Sequence, residues 1–108
     1  MDYVASADGT RIAVDRQGEG PVVILVAGGL DDGTENAPLA AELAGAFTVY
    51  NYQRRGRGDS GDTQPYAAER EIEDIAVLIT QGRAHLFGVS SGGALALEAA
   101  AAGLPCRR

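Results

Sequence analysis

A chain of 108 residues with 45% hydrophobic content and a net charge of −6 holds apolar material for one modest domain and no second one. Its nine basic residues, all arginine, form no concentrated patch, which argues against a nucleic-acid surface, since phosphate binding draws on clustered Lys and Arg. The start lacks a positive leader, and the longest apolar run, residues 22–27, is far short of the roughly 20 residues of a membrane span, so no membrane association and a cytoplasmic location are expected.

In chain order, Val4 to Ala7 and Arg11 to Arg16 are short alternating segments around Asp8-Gly9, the signal of a two-residue hairpin. Residues Pro21 to Ala27, "PVVILVA", have no polar face, as expected of a strand buried on both sides, and end at Gly28-Gly29. Asn36 and Pro38 mark a helix start, Leu39 and Leu43 lie one turn apart, and Gly45 closes that helix. The aromatic and β-branched run Phe47 to Tyr52 is the next strand, followed by the loop "QRRGRGDSGDTQ". From Pro65 to about Gln81, Ile72, Ile75, Ala76, Leu78 and Ile79 recur at helical spacing, with Glu69, Glu71, Glu73 and Asp74 as an acidic solvent side. Residues Ala84 to Val89 form a strand, Ser91 to Ala102 a helix, and Gly103 its stop. The order β-β-β-α-β-α-β-α predicts an α/β domain over 1–108, a mostly parallel sheet with flanking helices and right-handed crossovers.

The stretch with chemical content is Ala84 to Glu98, "AHLFGVSSGGALALE". Gly88-Val89-Ser90-Ser91-Gly92 fits G-x-S-x-G between a strand and a helix. A serine in so sharp a corner has a strained backbone, costing roughly 1 to 3 kcal/mol, and flanking glycines admit the close approach of chain to chain. The frame selects Ser90, because the same frame on Ser91 needs glycine where Val89 stands. On the pentapeptide alone, a glycine-rich corner without chemistry is an equal reading.

Together, the "VVILVAGGL" strand, the "YNYQRRGRGDSG" strand and loop and the "HLFGVSSGGALALEAA" turn resemble the N-terminal half of the α/β-hydrolase fold. The resemblance implies a serine nucleophile, Ser90, acting on small ester, lactone or similar acyl substrates. It implies an oxyanion hole from the backbone N–H groups of Ser91 and Gly29, and no cofactor. Many relatives have histidine where this chain has Ala27 and Val89, a departure that removes neither the nucleophile nor a backbone donor.

The resemblance also implies a histidine base and an acid later in the chain. His85, the single histidine, lies five residues before Ser90 in the same strand, roughly 16 Å away at ~3.3 Å per residue, and a base must come within about 3 Å. The chain is thus expected to be a truncated hydrolase half with at most trace esterase activity. Its fifth strand is expected to be an open edge that invites self-association or a complementing C-terminal chain.

Three other patterns are weaker. Gly56 to Gly61 matches G-x-G-x-x-G and raises a nucleotide site as an alternative, with Asp74 as the acid further on, although Pro65 sets the helix start several residues too late. Arg57-Gly58-Asp59 is also an adhesion tripeptide, read here as coincidence. With Cys106 the lone cysteine and one histidine, neither a disulfide nor a metal-ligand spacing exists. A non-catalytic half-fold that binds a partner is the remaining alternative.

Overall fold

The computed structural model describes residues 2–28, 36–79, 84–88 and 91–104. They form the strands β1 (Asp2–Ala5), β2 (Arg11–Gln17), β3 (Val22–Val26), β4 (Thr48–Tyr52) and β5 (Ala84–Gly88) and the helices α1 (Ala37–Leu43), α2 (Ala68–Leu78) and α3 (Ser91–Ala101). The sheet runs β1-β2-β4-β3-β5. β4, β3 and β5 are mutually parallel, while β1 and β2 add an antiparallel flank through the β1–β2 and β2–β4 pairings.

β3 explains why a strand with no polar residue sits near the middle. Side chains alternate across a strand. Val23 and Leu25 therefore pack with Val49 and Ala40 beneath α1. Ile24 and Val26 project to the opposite face, into the larger core with Ile12, Tyr52, Ile75, Leu95 and Ala99 beneath α2 and α3. Each face needs an apolar residue at every second position, so the strand needs one at every position.

The hairpin departs from the two-residue turn expected at Asp8-Gly9. Ser6 N–H donates to the Thr10 carbonyl and Gly9 N–H to that of Ser6, which leaves the three-residue loop Ala7–Gly9. Gly9 occupies the left-handed region at φ 86°, the conformation that ends a three-residue hairpin loop. The Asp8 carboxylate accepts from the Thr10 N–H at 3.0 Å, so the Asp-Gly signal is used one residue wider than read.

α2 is shorter than the Pro65 to Gln81 span and is turned about its axis relative to the amphipathic reading. Its buried residues are Glu71, Asp74, Ile75 and Leu78, so two of the acids assigned to solvent lie inside. α3 ends as expected at Gly103, φ 94°. There Gly103 N–H donates to the Ala100 carbonyl and Leu104 N–H to that of Ala99, the paired bonds of a Schellman stop, and Leu104 folds onto the core.

Candidate active site

β3 and β5 end level with each other, Val26 opposite Gly88, at the C-terminal edge of the parallel strands. α3 starts immediately beyond, against that edge. The glycines of the G-x-S-x-G frame are what permit this. A Cβ on Gly88 would lie 2.4 Å from the Gly92 carbonyl oxygen and 2.6 Å from Gly93 Cα, and one on Gly92 would lie 2.3 Å from the Val26 oxygen and 2.5 Å from that of Ala27. All four obstacles are backbone, so the strand-to-helix turn closes only with glycine on both sides. Of the residues assigned to chemistry, Ser90 and Gly29 lie outside the described residues. Ser91 is the first residue of α3, exposed at this edge.

Directly behind the turn lies a group that the sequence reading missed. Arg54, immediately past β4, is only 5% exposed and forks onto Glu71 of α2, Nε to Oε1 at 2.7 Å and Nη2 to Oε2 at 2.8 Å. Its remaining nitrogen, Nη1, donates to the Ala27 carbonyl at 3.0 Å and to Ser91 Oγ at 3.1 Å. One guanidinium thus joins the end of β3, the start of α3 and the middle of α2. Burial pushes the Glu71 carboxyl up, but the bonds from Arg54 and from the Tyr66 hydroxyl, at 2.5 Å, outweigh it and hold the group below its ordinary range. The same pair holds the Arg54 guanidinium more firmly charged, against its own desolvation.

Arg55 repeats the arrangement one residue on. It forks onto Asp74 at 2.7 and 2.8 Å and reaches Asp8 of the β1–β2 loop at 2.9 Å. The Arg55 bond is also the main cause that lowers the Asp8 carboxyl well below the carboxylate range. The signal available in the sequence was the matched spacing. Two adjacent arginines follow a strand, and two acids stand at i and i+3 on one face of the next helix.

His85 packs edge-on against Phe47, ring centroids 6.1 Å apart, on the α1 face of β5. It stands three positions before Gly88 at the far end of the strand, about 10 Å along the chain direction. The loop Gly56–Gly61 does not form a phosphate cradle. The amides of Gly56, Arg57, Ser60 and Gly61 donate to backbone carbonyls and that of Asp59 to Gln53 Oε1, while α2 begins only at Ala68. Ser60 Oγ, bonded to the Gln53 carbonyl and the Ala13 N–H, fastens this loop to the sheet. Among the described residues no cluster of His, Cys, Asp or Glu is placed to hold a metal ion, and no helix is long and apolar enough to cross a membrane. Cys106 lies outside the described residues.

A parallel β3–β5 edge with α3 held close against it by Gly88 and Gly92, in a mixed sheet flanked by helices, is the architecture of the N-terminal part of an α/β-hydrolase fold. The chain belongs to the alpha/beta hydrolase family, whose model matches residues 22–107. It is similar to an uncharacterized hydrolase of Bacillus subtilis (strain 168), YraK, at 33% identity over 96 residues, covering 83% of this chain and 35% of that protein. Among solved structures it resembles an alpha/beta hydrolase from Sphaerobacter thermophilus DSM 20745, with 58% identity, a TM-score of 0.93, and coverage of 97% of this chain and 42% of that one. It also resembles the enol-lactonase from Burkholderia xenovorans LB400, with 30% identity, a TM-score of 0.86, and coverage of 94% and 42%. The chain therefore spans well under half the length of these relatives.

Proposed function

We propose that this chain carries the nucleophile and oxyanion half of a serine-dependent acyl hydrolase. In this reading Ser90 Oγ attacks the carbonyl carbon of an ester or lactone as its proton passes to a base. The N–H groups of Ser91 and Gly29 receive the negative oxygen of the tetrahedral intermediate, each worth about 3 kcal/mol. Collapse breaks the bond to the alcohol, which takes the proton back, and water then repeats the sequence on the acyl-serine to release the acid. The observation that supports the reading is the close approach of α3 to the ends of β3 and β5, which only glycine at positions 88 and 92 allows, on either side of Ser90 in the sequence. The enol-lactonase among the relatives supports lactone or enol-ester carbonyls as the substrate class.

The base and acid come, in this proposal, from a C-terminal part of the fold, carried on further chain or on a second polypeptide that adds to β5. His85 is not the base, because it sits against Phe47 on the α1 face. A fluorophosphonate tests the reading on the chain combined with the C-terminal part of the fold, since it phosphonylates a serine that a base activates. Intact mass should show one adduct, peptide mapping should place it on Ser90, and Ser90→Ala should abolish it. An adduct spread over surface serines, or none after prolonged incubation, refutes the proposal. Robust ester turnover by the 108-residue chain alone would refute the assignment of the base to a missing part.

A further inference from the structure

We infer that the corner where β1 and α2 both stop binds a small zwitterion with an apolar side chain, a free α-amino acid of about leucine size. The inference does not depend on the reading of Ser90. β1 pairs with β2 only as far as Asp2 opposite Val14, whereas β2 runs on to Gln17 and keeps β4 as its neighbour there. α2, packed on this face of the sheet through Ile75 and Leu78, ends at Leu78. The two endings leave a cavity of about 160 Å³, open at its rim.

Its walls are apolar. Side chains alternate across a strand, so Val4 of β1, Val14 of β2 and Tyr50 of β4 share the face that meets Val77 and Leu78. Val14 and Leu78 are each only 3% exposed, so the floor of the cavity is shut off from water. An apolar cavity of about 150 Å³ takes a benzene-sized group, and this one accordingly takes a leucine side chain.

The rim supplies the polar half. Asp2 and Arg16 line it from the same face, both exposed, and as diagonal neighbours across β1 and β2 their Cα atoms stand about 7 to 8 Å apart. Arg16 lies over the Tyr50 ring, its Cζ 5.8 Å from the centroid, which lays the guanidinium along the cavity wall. Among the described residues neither Asp2 nor Arg16 has an ion-pair partner. A lone carboxylate entering here meets Asp2 as a like charge, and a lone amine meets Arg16. A ligand with both groups on one carbon pairs each with its opposite and leaves its side chain to the cavity. β2 lies three strand spacings, about 14 Å, from β5, so an occupant leaves the turn at Gly88 uncovered.

The test titrates the 108-residue chain with L-leucine, N-acetyl-L-leucine, isoamylamine and glycine and follows methyl resonances by NMR. L-Leucine should shift the methyls of Val4, Val14, Val77 and Leu78 saturably and leave those of Leu97 in place. N-acetyl-L-leucine lacks the ammonium and isoamylamine the carboxylate, so each should bind about tenfold more weakly, and glycine, without a side chain, should not bind. Arg16→Gln and Asp2→Asn should each weaken leucine about tenfold, and Val77→Phe, which fills the cavity, should abolish binding. Circular dichroism checks that the variants fold, and for any that does not, the four compounds on the parent chain decide. The inference is overturned if leucine causes no saturable shift of these methyls, if the three leucine-like compounds bind equally, or if a folded Arg16→Gln binds as the parent does. Shifts of the same methyls on raising the protein concentration alone would give the groove to a second copy and overturn it as well.

Discussion

Replacing Gly92 by alanine adds a single methyl group at the most crowded point of the strand-to-helix turn. Its Cβ would stand 2.3 Å from the Val26 oxygen and 2.5 Å from the Ala27 oxygen, about 1 Å inside an ordinary contact. Neither obstacle is a side chain that swings aside, so α3 must lift off the end of β3 by roughly that ångström. Overpacking of this kind costs about 3 kcal/mol, and the better helix propensity of alanine returns at most about 1 kcal/mol, leaving a net loss near 2 kcal/mol. At about 4 to 8 °C per kcal/mol, Tm should fall by about 10 °C. Gly93→Ala is the internal control. It lies one residue further along α3, where the added Cβ meets the Gly88 oxygen at 3.4 Å and nothing closer, so it should be neutral or stabilise by up to about 1 kcal/mol. Thermal unfolding followed by far-UV circular dichroism measures both. Equal Tm values for the two variants would refute the close-approach reasoning.

Further outcomes follow from the buried pairs and the open edge. Arg55→Ala leaves Asp74 charged and unpaired in the interior and should cost about 3 to 5 kcal/mol. Arg70→Ala, which breaks a half-exposed pair with Glu73 at 3.0 Å, should cost under about 1 kcal/mol, and urea midpoints distinguish the two. Because the Glu71 carboxyl is lowered in the folded state, its contribution is fully present above its unfolded pKa of about 4.3 and is lost as pH falls through the folded value. Glu71→Gln should accordingly lower stability at pH 7 and flatten the acid limb of a stability–pH curve, and an acid limb unchanged in slope would count against the pairing. β5 pairs with β3 alone among the described strands and presents Phe87, 44% exposed, so sedimentation velocity should reveal concentration-dependent association that Phe87→Lys reduces.

The order of elements was legible because it rests on hydrophobic periodicity and on glycine and proline punctuation, both local properties. β3 and the Gly103 stop needed nothing beyond their own residues. The frame around Ser90 was legible for a similar reason, since its glycines answer a backbone demand that recurs wherever the turn does. Glu71 and Asp74 were misplaced because periodicity sorts residues by polarity, and an acid with a buried arginine partner counts as interior. Those partners lie 17 and 19 residues away along the chain. Arg54 was hidden more deeply, as two of its acceptors are a main-chain carbonyl and a hydroxyl that leave no spacing to read.

The strand order also bears on how the chain comes off the ribosome. β3 receives β4 on one side from nearby sequence, but its other side waits for β5, which begins 62 residues after β3 begins. At roughly 5 to 20 residues per second, that flank of "VVILV" stays open for about 3 to 12 s during synthesis. A short, uncharged, β-branched run left unpaired for so long is the most adhesive piece of the nascent chain. A strand whose end borders the proposed chemistry in the finished protein is thus left half-paired while the chain is being made.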